Sequence, residues 1–202
     1  MINLFIPYFI DKNEERYKEV YECLQKNSLN PFIDRIILVA ENPDIYRIMK
    51  RFDVIIVPER PTYNMMFEII NEITGPEDWN VLINSDIYLD ETIKHIEKYD
   101  RNTFLALARW DIDKQGNAKL FNTWDSQDTW AFKGKAKAMK ADFVQGRAGC
   151  DNAIANRAEV AGYKVINPSK TIKTYHLHLT NIRNYNPNDR VEQPYKLINP
   201  HE

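Results

Sequence analysis

Four apolar, β-forming runs at residues 3–9, 34–40, 53–57 and 81–83 alternate with helical patterns, and this alternation constrains the fold more than any other feature. A helix from about Asn13 places Tyr17, Val20, Tyr21 and Leu24 at i, i+3, i+4 and i+7, and residues 27–31 close it. A short helix follows Pro43, and a third carries Tyr63, Met66, Phe67, Ile70 and Ile73 on one stripe before Gly75-Pro76 ends it. The strands are almost wholly apolar, as strands covered on both faces must be. Strand and helix in strict alternation predict a largely parallel sheet with right-handed crossovers and helices on its faces, the α/β class. In such a sheet ligands gather at the carboxyl edge. The loops at Pro7-Tyr8-Phe9, Glu59-Arg60-Pro61-Thr62 and Asn84-Ser85-Asp86 open there together and can form one site.

The fourth run, Val81-Leu82-Ile83, breaks directly into Asn84-Ser85-Asp86. A buried strand that ends on a small polar group and a carboxylate delivers an acid to a cleft, an address for a metal or a phosphate. The competing reading is that Asp86 only turns the chain. Asp90 reads as the cap of a helix over 91–99. The chain has only six glycines, with no G-x-G-x-x-G and no G-x-x-x-x-G-K-[ST], so dinucleotide dehydrogenases and P-loop NTPases are disfavoured. A diphosphate here would need a divalent cation and side chains instead.

Length and charge narrow the class further. The 202 residues fit a single domain, and a net charge of −2 lacks the basic face that nucleic-acid binding needs. Two isolated cysteines, Cys23 on a probable core face and Cys150, suggest neither a disulfide framework nor a zinc site. The first residues lack a signal-peptide pattern, and no apolar run approaches the roughly 20 residues of a membrane span, so a soluble, cytoplasmic protein is expected.

The second half changes style. A strand over 103–111 ends in Arg109-Trp110-Asp111, a polar turn follows at 113–117, and residues 125–133 place Trp130 and Phe132 on one face. Residues 135–140, rich in Ala and Lys, predict a solvated helix. Asp151 precedes a helix over 153–161 that Gly162 terminates, and a carboxylate at a helix N-terminus is readily kept ionised. Short strands are expected at 165–168 and 172–179, the second presenting His176 and His178 on one face as a candidate ligand pair. The residues from 181 onward, with Arg183, Tyr185 and Arg190, read as a tail on the surface or over a site.

From Ile2-Asn3-Leu4-Phe5-Ile6-Pro7 to His176-Leu177-His178 the pattern resembles the small glycosyltransferases of the GT-A fold. These include virus-encoded ones that build capsid glycans, such as the rhamnosyltransferase domain of chlorella viruses. The resemblance implies a single GT-A domain, with a nucleotide-sugar-binding half at 1–100, an acceptor and catalytic half at 101–183 and a tail at 184–202. It implies a D-x-D-like motif at Asn84-Ser85-Asp86, whose last acid holds Mn²⁺ or Mg²⁺ against the diphosphate, with Asn84 departing from the usual first acid. His178, or failing that His176, would be a further metal ligand, and Arg183 would neutralise the diphosphate. Pro7, Tyr8, Arg60, Tyr63 and Asn64 would border base and ribose. Trp110-Asp111, residues 125–130 and residues 149–152 would line the meeting place of donor sugar and acceptor, with aromatic faces on the sugar rings. Asp151, then Asp128, would serve as base or acceptor anchor.

The implied activity is metal-dependent transfer of a sugar from a nucleotide-diphosphate sugar, a UDP-sugar first, to a saccharide or glycoprotein acceptor. A sugar-1-phosphate nucleotidyltransferase shares the parallel half, but the glycine-rich, basic signature it carries after the first strand is missing. A non-catalytic saccharide-binding module is the other competitor, with Asn84 as its hint.

Overall fold

The computed structural model describes residues 1–180, 182 and 188–202. In chain order it comprises β1 (Ile2–Pro7), α1 (Glu14–Ser28), β2 (Arg35–Ala40), α2 (Asp44–Ile48), β3 (Asp53–Ile56), α3 (Tyr63–Ile73), β4 (Trp79–Ile83) and β5 (Ile87–Leu89). A 3₁₀ stretch at Glu91–Lys98 precedes β6 (Thr103–Leu107), β7 (Trp110–Ile112), β8 (Ala118–Leu120), β9 (Thr129–Lys133), α4 (Cys150–Val160), β10 (Lys164–Ile166) and β11 (Thr174–His176). Among the described residues the strands form two sheets, a seven-stranded one in the order β10-β6-β9-β4-β1-β2-β3 and a four-stranded one in the order β5-β11-β7-β8.

The parallel pairs β1–β2, β1–β4 and β2–β3 are those the βαβ alternation predicts, and β6–β10 adds a further parallel pair. Between β4 and β6 the chain inserts β9 antiparallel to both. Phe5, Leu82, Trp130 and Phe132 pack toward α3 and α4 on one face, while Leu4, Ile6, Val81 and Ala131 pack toward α1 on the other. Burial on two faces is what leaves these strands without a polar side.

Local capping follows the sequence. The Asn13 side chain accepts from the Arg16 amide and Thr62 accepts from the Met65 amide, fixing the starts of α1 and α3. Asp90 caps the 3₁₀ stretch through the Thr92 amide, and its other oxygen accepts from the Tyr175 hydroxyl at 2.9 Å.

The short strand β5 has help from α1. The Asn27 amide donates to the Ile87 carbonyl and accepts from the Leu89 N–H, both at 2.9 Å, so one buried side chain completes the edge of β5 as a neighbouring strand would. This docks α1 beside the Asn84–Asp86 turn. Asn27→Ala leaves a buried backbone donor and acceptor unpaired and should cost about 2 to 4 kcal/mol in urea unfolding, taking roughly 1 to 3 kcal/mol for each orphaned group and allowing for partial rescue by water.

Three expectations need correction. Residues 135–140 form no helix: the Lys135 ammonium caps the carbonyls of Asn71 and Thr74 at the end of α3, and the Asn71 amide takes both backbone groups of Ala136. Those tertiary bonds outweigh the high intrinsic helix propensity of Ala, Lys and Met. The single strand expected over 103–111 is two, β6 in the larger sheet and β7 in the smaller one. The last strand ends at His176, so His178 lies beyond it in the following loop. No helix among the described residues is long and apolar enough to cross a membrane.

Candidate active site

Five segments meet where β4 ends: the turn Asn84–Asp86, the first turn of α1, the stretch from Arg109 to Asp111, the start of β9 with Asp128, and residues 176–180. A continuous chain of hydrogen bonds links them. Glu19 accepts from the Arg16 guanidinium at 2.8 Å, and Arg16 donates through its other terminal nitrogen to Asp86. Asp86 meets His176 Nε2 at 3.1 Å, and His176 Nδ1 meets Asp111 at 2.8 Å. Asp111 and Asp128 both accept from Arg109, at 2.8 and 2.9 Å. Asp128 accepts from the Asn84 amide at 2.7 Å, and the Asn84 carbonyl oxygen accepts from Gln145 at 3.1 Å.

The electrostatics follow from burial. Desolvation alone would raise Asp86, but the His176 hydrogen bond and the charges of His176 and Arg16 hold its carboxyl well below the usual range. Burial opposes a charged imidazole at His176, yet its bonds to Asp111 and Asp86 carry it up to about 9. His178 goes the other way, lowered by burial and by the nearby Arg16 charge, so it stays neutral. This chain of bonds therefore holds the cations Arg16, His176 and Arg109 against the carboxylates Glu19, Asp86, Asp111 and Asp128.

Asp151, in the first turn of α4, differs from the expectation of an ionised carboxylate. Burial first, then the charge of Asp128, raises it to about 7. Its hydrogen bond from the Cys150 thiol at 3.0 Å does not offset that rise. Desolvation outweighs the favourable helix end. Asn152, next along, ties the loop below through the Asp125 carbonyl at 3.2 Å.

The structure thus assembles Asn84, Asp86, Asp128, Asp151, His176 and His178 in one region, with Ser85 partly exposed between the first two. Arg60 borders it, its guanidinium on the carbonyl of the same Gln145 that holds Asn84. Pro7 is partly buried at the end of β1. Tyr8 is turned inward, 3% exposed, with burial and Tyr17 raising its hydroxyl, so it offers no open face to a base. Tyr63 is wholly buried, edge-on to Trp130 at 5.3 Å, and the Asn64 side-chain oxygen accepts from the Ala141 backbone N–H. Trp130 is core, whereas Trp124 is 56% exposed. Arg183 lies outside the described residues.

Sequence reasoning missed Arg16, Glu19, Arg109 and Gln145 as partners. A signal existed for the first two. Arg16, Glu19, Cys23 and Asn27 repeat at helical spacing on the buried face of α1, so a charged pair sits where apolar residues are expected.

Asp86, His176 and His178 each offer a ligand atom, and these atoms lie within 4.8 Å of one another. The donor set fits a divalent cation. A ligating imidazole commonly gives its second nitrogen to a carboxylate, which Asp111 supplies to His176, while His178 Nε2 is held by the Ile182 carbonyl at 2.8 Å, leaving Nδ1 available. One carboxylate with two imidazoles suits Mn²⁺ better than Mg²⁺. Only neutral imidazole coordinates, so His176 would have to release its proton.

The largely parallel seven-stranded sheet, its antiparallel insertion and the site at its carboxyl edge define a GT-A fold. The chain is similar to a mannosyltransferase from Pyrobaculum calidifontis in complex with GDP-Man and Mn²⁺, at TM-score 0.57 and 12% identity, covering 90% of this chain and 58% of that one. It is also similar to residues 1–349 of S. aureus TarS, at TM-score 0.55 and 11% identity, covering 87% of this chain and 60% of that one. It thus spans less than two thirds of the length of either structure. No family model matches the sequence, and no curated protein does.

Proposed function

We propose that this chain is a metal-dependent glycosyltransferase that moves a sugar from a nucleotide-diphosphate sugar, with UDP the first base to test, to a hydroxyl of a saccharide or glycoprotein acceptor. The observation that carries the reading is the meeting of Asp86, His176 and His178 donor atoms within 4.8 Å at the sheet edge. The likeness to a fold seen with GDP-Man and Mn²⁺ supports it. So does the charge balance: a hydrogen-bonded site with more carboxylates than cations repels a diphosphate unless a further cation is present.

In this reading Asp86, His178 and His176 hold Mn²⁺, or Mg²⁺ as the second choice. The ion, when bound, stabilises the charge that develops on the leaving diphosphate. The protein's own groups do the rest. Residues 1–100 hold the donor, with Asn84, Ser85 and Arg60 at its border and Arg183 assigned to the diphosphate, while residues 101–183 receive the acceptor. The acceptor oxygen bonds to the anomeric carbon as the bond from that carbon to phosphate oxygen breaks, and the acceptor proton passes to Asp151. A base at this position belongs to inversion of configuration. Burial first, and then the charge of Asp128, which Arg109 and Asn84 fix, keep the Asp151 carboxyl basic enough to accept that proton.

Thermal unfolding with UDP, GDP, CDP and dTDP, each with and without Mn²⁺, tests this directly. At about 100 times Kd a ligand adds roughly 2.7 kcal/mol, or about 5 to 10 °C for a chain of this size. One nucleotide should give that shift, and only with the ion. Flat curves with all four at millimolar concentration would defeat the reading.

A further inference from the structure

The least expected feature of the site is a buried arginine on the acid that should hold a metal. Arg16 is 6% exposed and carries its charge in the first turn of α1. Its two terminal nitrogens are used differently. One donates to Glu19 at 2.8 Å and to the Leu177 carbonyl at 3.2 Å, and the other donates to Asp86. Glu19 is itself fixed, accepting from the Thr180 amide at 2.8 Å and the Thr180 hydroxyl at 3.0 Å. The guanidinium is therefore anchored on one side, toward residues 177–180, and committed on the other to the carboxylate of the candidate metal site.

We propose, building on the transferase reading above, that Arg16 is the resident counter-charge of Asp86 and that a divalent cation and Arg16 exchange on this carboxylate, so that cation and nucleoside diphosphate bind together rather than independently. Without a ligand, one Asp86 oxygen is shared by Arg16 and His176, and Arg16 brings the permanent positive charge of the two. A cation that binds at this shared oxygen, beside His176 Nε2, displaces the Arg16 nitrogen, which weakens its binding to the free protein. Once displaced, the nitrogen is a charged donor that has lost its acceptor in a dry setting. A phosphate oxygen supplies a new one, and a guanidinium fork suits phosphate geometry. Because Glu19 and Leu177 still hold the other nitrogen, the exchange needs no large movement of α1. Diphosphate thus repays the displacement, and coupling between the two ligands follows by linkage.

The role is one of positioning and selectivity, and its test does not need turnover. Free Mn²⁺ is followed by its electron paramagnetic resonance signal during titration of wild type, Arg16→Met and Arg16→Lys, each alone and with whichever of UDP and GDP binds more tightly. Circular dichroism confirms that each variant is folded. Without nucleotide, Arg16→Met should bind Mn²⁺ at least about tenfold more tightly than wild type, equivalent to about 1.4 kcal/mol. Arg16→Lys, which keeps a charge beside Asp86, should stay within about threefold of wild type, under 1 kcal/mol. The enhancement of Mn²⁺ binding by nucleotide, large in wild type, should shrink in Arg16→Met.

Unchanged or weaker Mn²⁺ binding in Arg16→Met, while wild type binds the ion with nucleotide, overturns the exchange and leaves the transferase reading standing. A retained nucleotide enhancement in Arg16→Met does the same. Absence of Mn²⁺ binding in every form, with and without nucleotide, overturns both.

Discussion

Asp86→Asn should abolish the Mn²⁺-dependent thermal shift with nucleotide and lower turnover by roughly 10³-fold, since a leaving group that loses several kcal/mol of stabilisation costs that much in rate. The substitution keeps the shape of the side chain and removes its charge. Arg16 retains Glu19 and the Leu177 carbonyl, and His176 retains Asp111, so neither cation is left alone. The fold should therefore survive, as circular dichroism and a cooperative melt would show. A variant that keeps its Mn²⁺-dependent shift would move the donor site away from the β4 edge. A saccharide-binding module would instead keep its affinity for sugar and show no nucleotide response in either form.

Asp151→Asn should lower kcat by about 10² to 10⁴-fold while leaving nucleotide binding intact, the range expected when a general base is removed. The wild-type rate should rise with pH through about 7, because the carboxyl must lose its proton before it can accept one from the acceptor. That limb should vanish in the variant. Stability moves in the opposite direction. A carboxyl raised in the folded state favours its protonated form there, so its contribution is fully present below the unfolded value near 3.9 and is lost as pH rises through about 7. Asp151→Asn should then melt about 2 to 4 °C higher than wild type at pH 8, equivalent to about 1 kcal/mol at this size, with little difference near pH 4. A pH-rate limb that persists in the variant would assign the base elsewhere, with Asp128 next in line.

The parallel half of the fold was legible because strands buried on both faces leave unbroken apolar runs, and because α1 and α3 bury one stripe each. The second sheet was harder to see. β5, β7, β8 and β11 have three residues each, too short to show a period, and β8 went unnoticed within the polar stretch after 113. Of the site, Asp86 stood out because it ends an apolar run, and the two histidines because they are near neighbours. Their joining is tertiary: the His176 and His178 rings lie 5.4 Å apart at 85° because the strand stops between them. Tyr8 looks like a cleft aromatic from its loop, yet it turns into the core, whereas Tyr63 follows the apolar stripe of α3 into the core and not the cleft role that the resemblance implied. Arg16 is legible only from its spacing on the buried face of α1, since a charged residue in a first helical turn ordinarily points to water.

The pairing of β11 bears on when the site comes into being during synthesis. β11 lies between β5 and β7 in the smaller sheet, and it is the last strand among the described residues. A nascent chain that has emerged only as far as β10 already contains every strand of the larger sheet, but neither histidine nor the Leu177 and Thr180 groups that settle Arg16 and Glu19. Its Asp86 turn and α1 then await residues 174–180. In the transferase reading, capacity for the donor is thus acquired in a docking step that follows formation of the main scaffold, and a chain made only as far as β10 cannot hold a nucleotide sugar at a half-built centre.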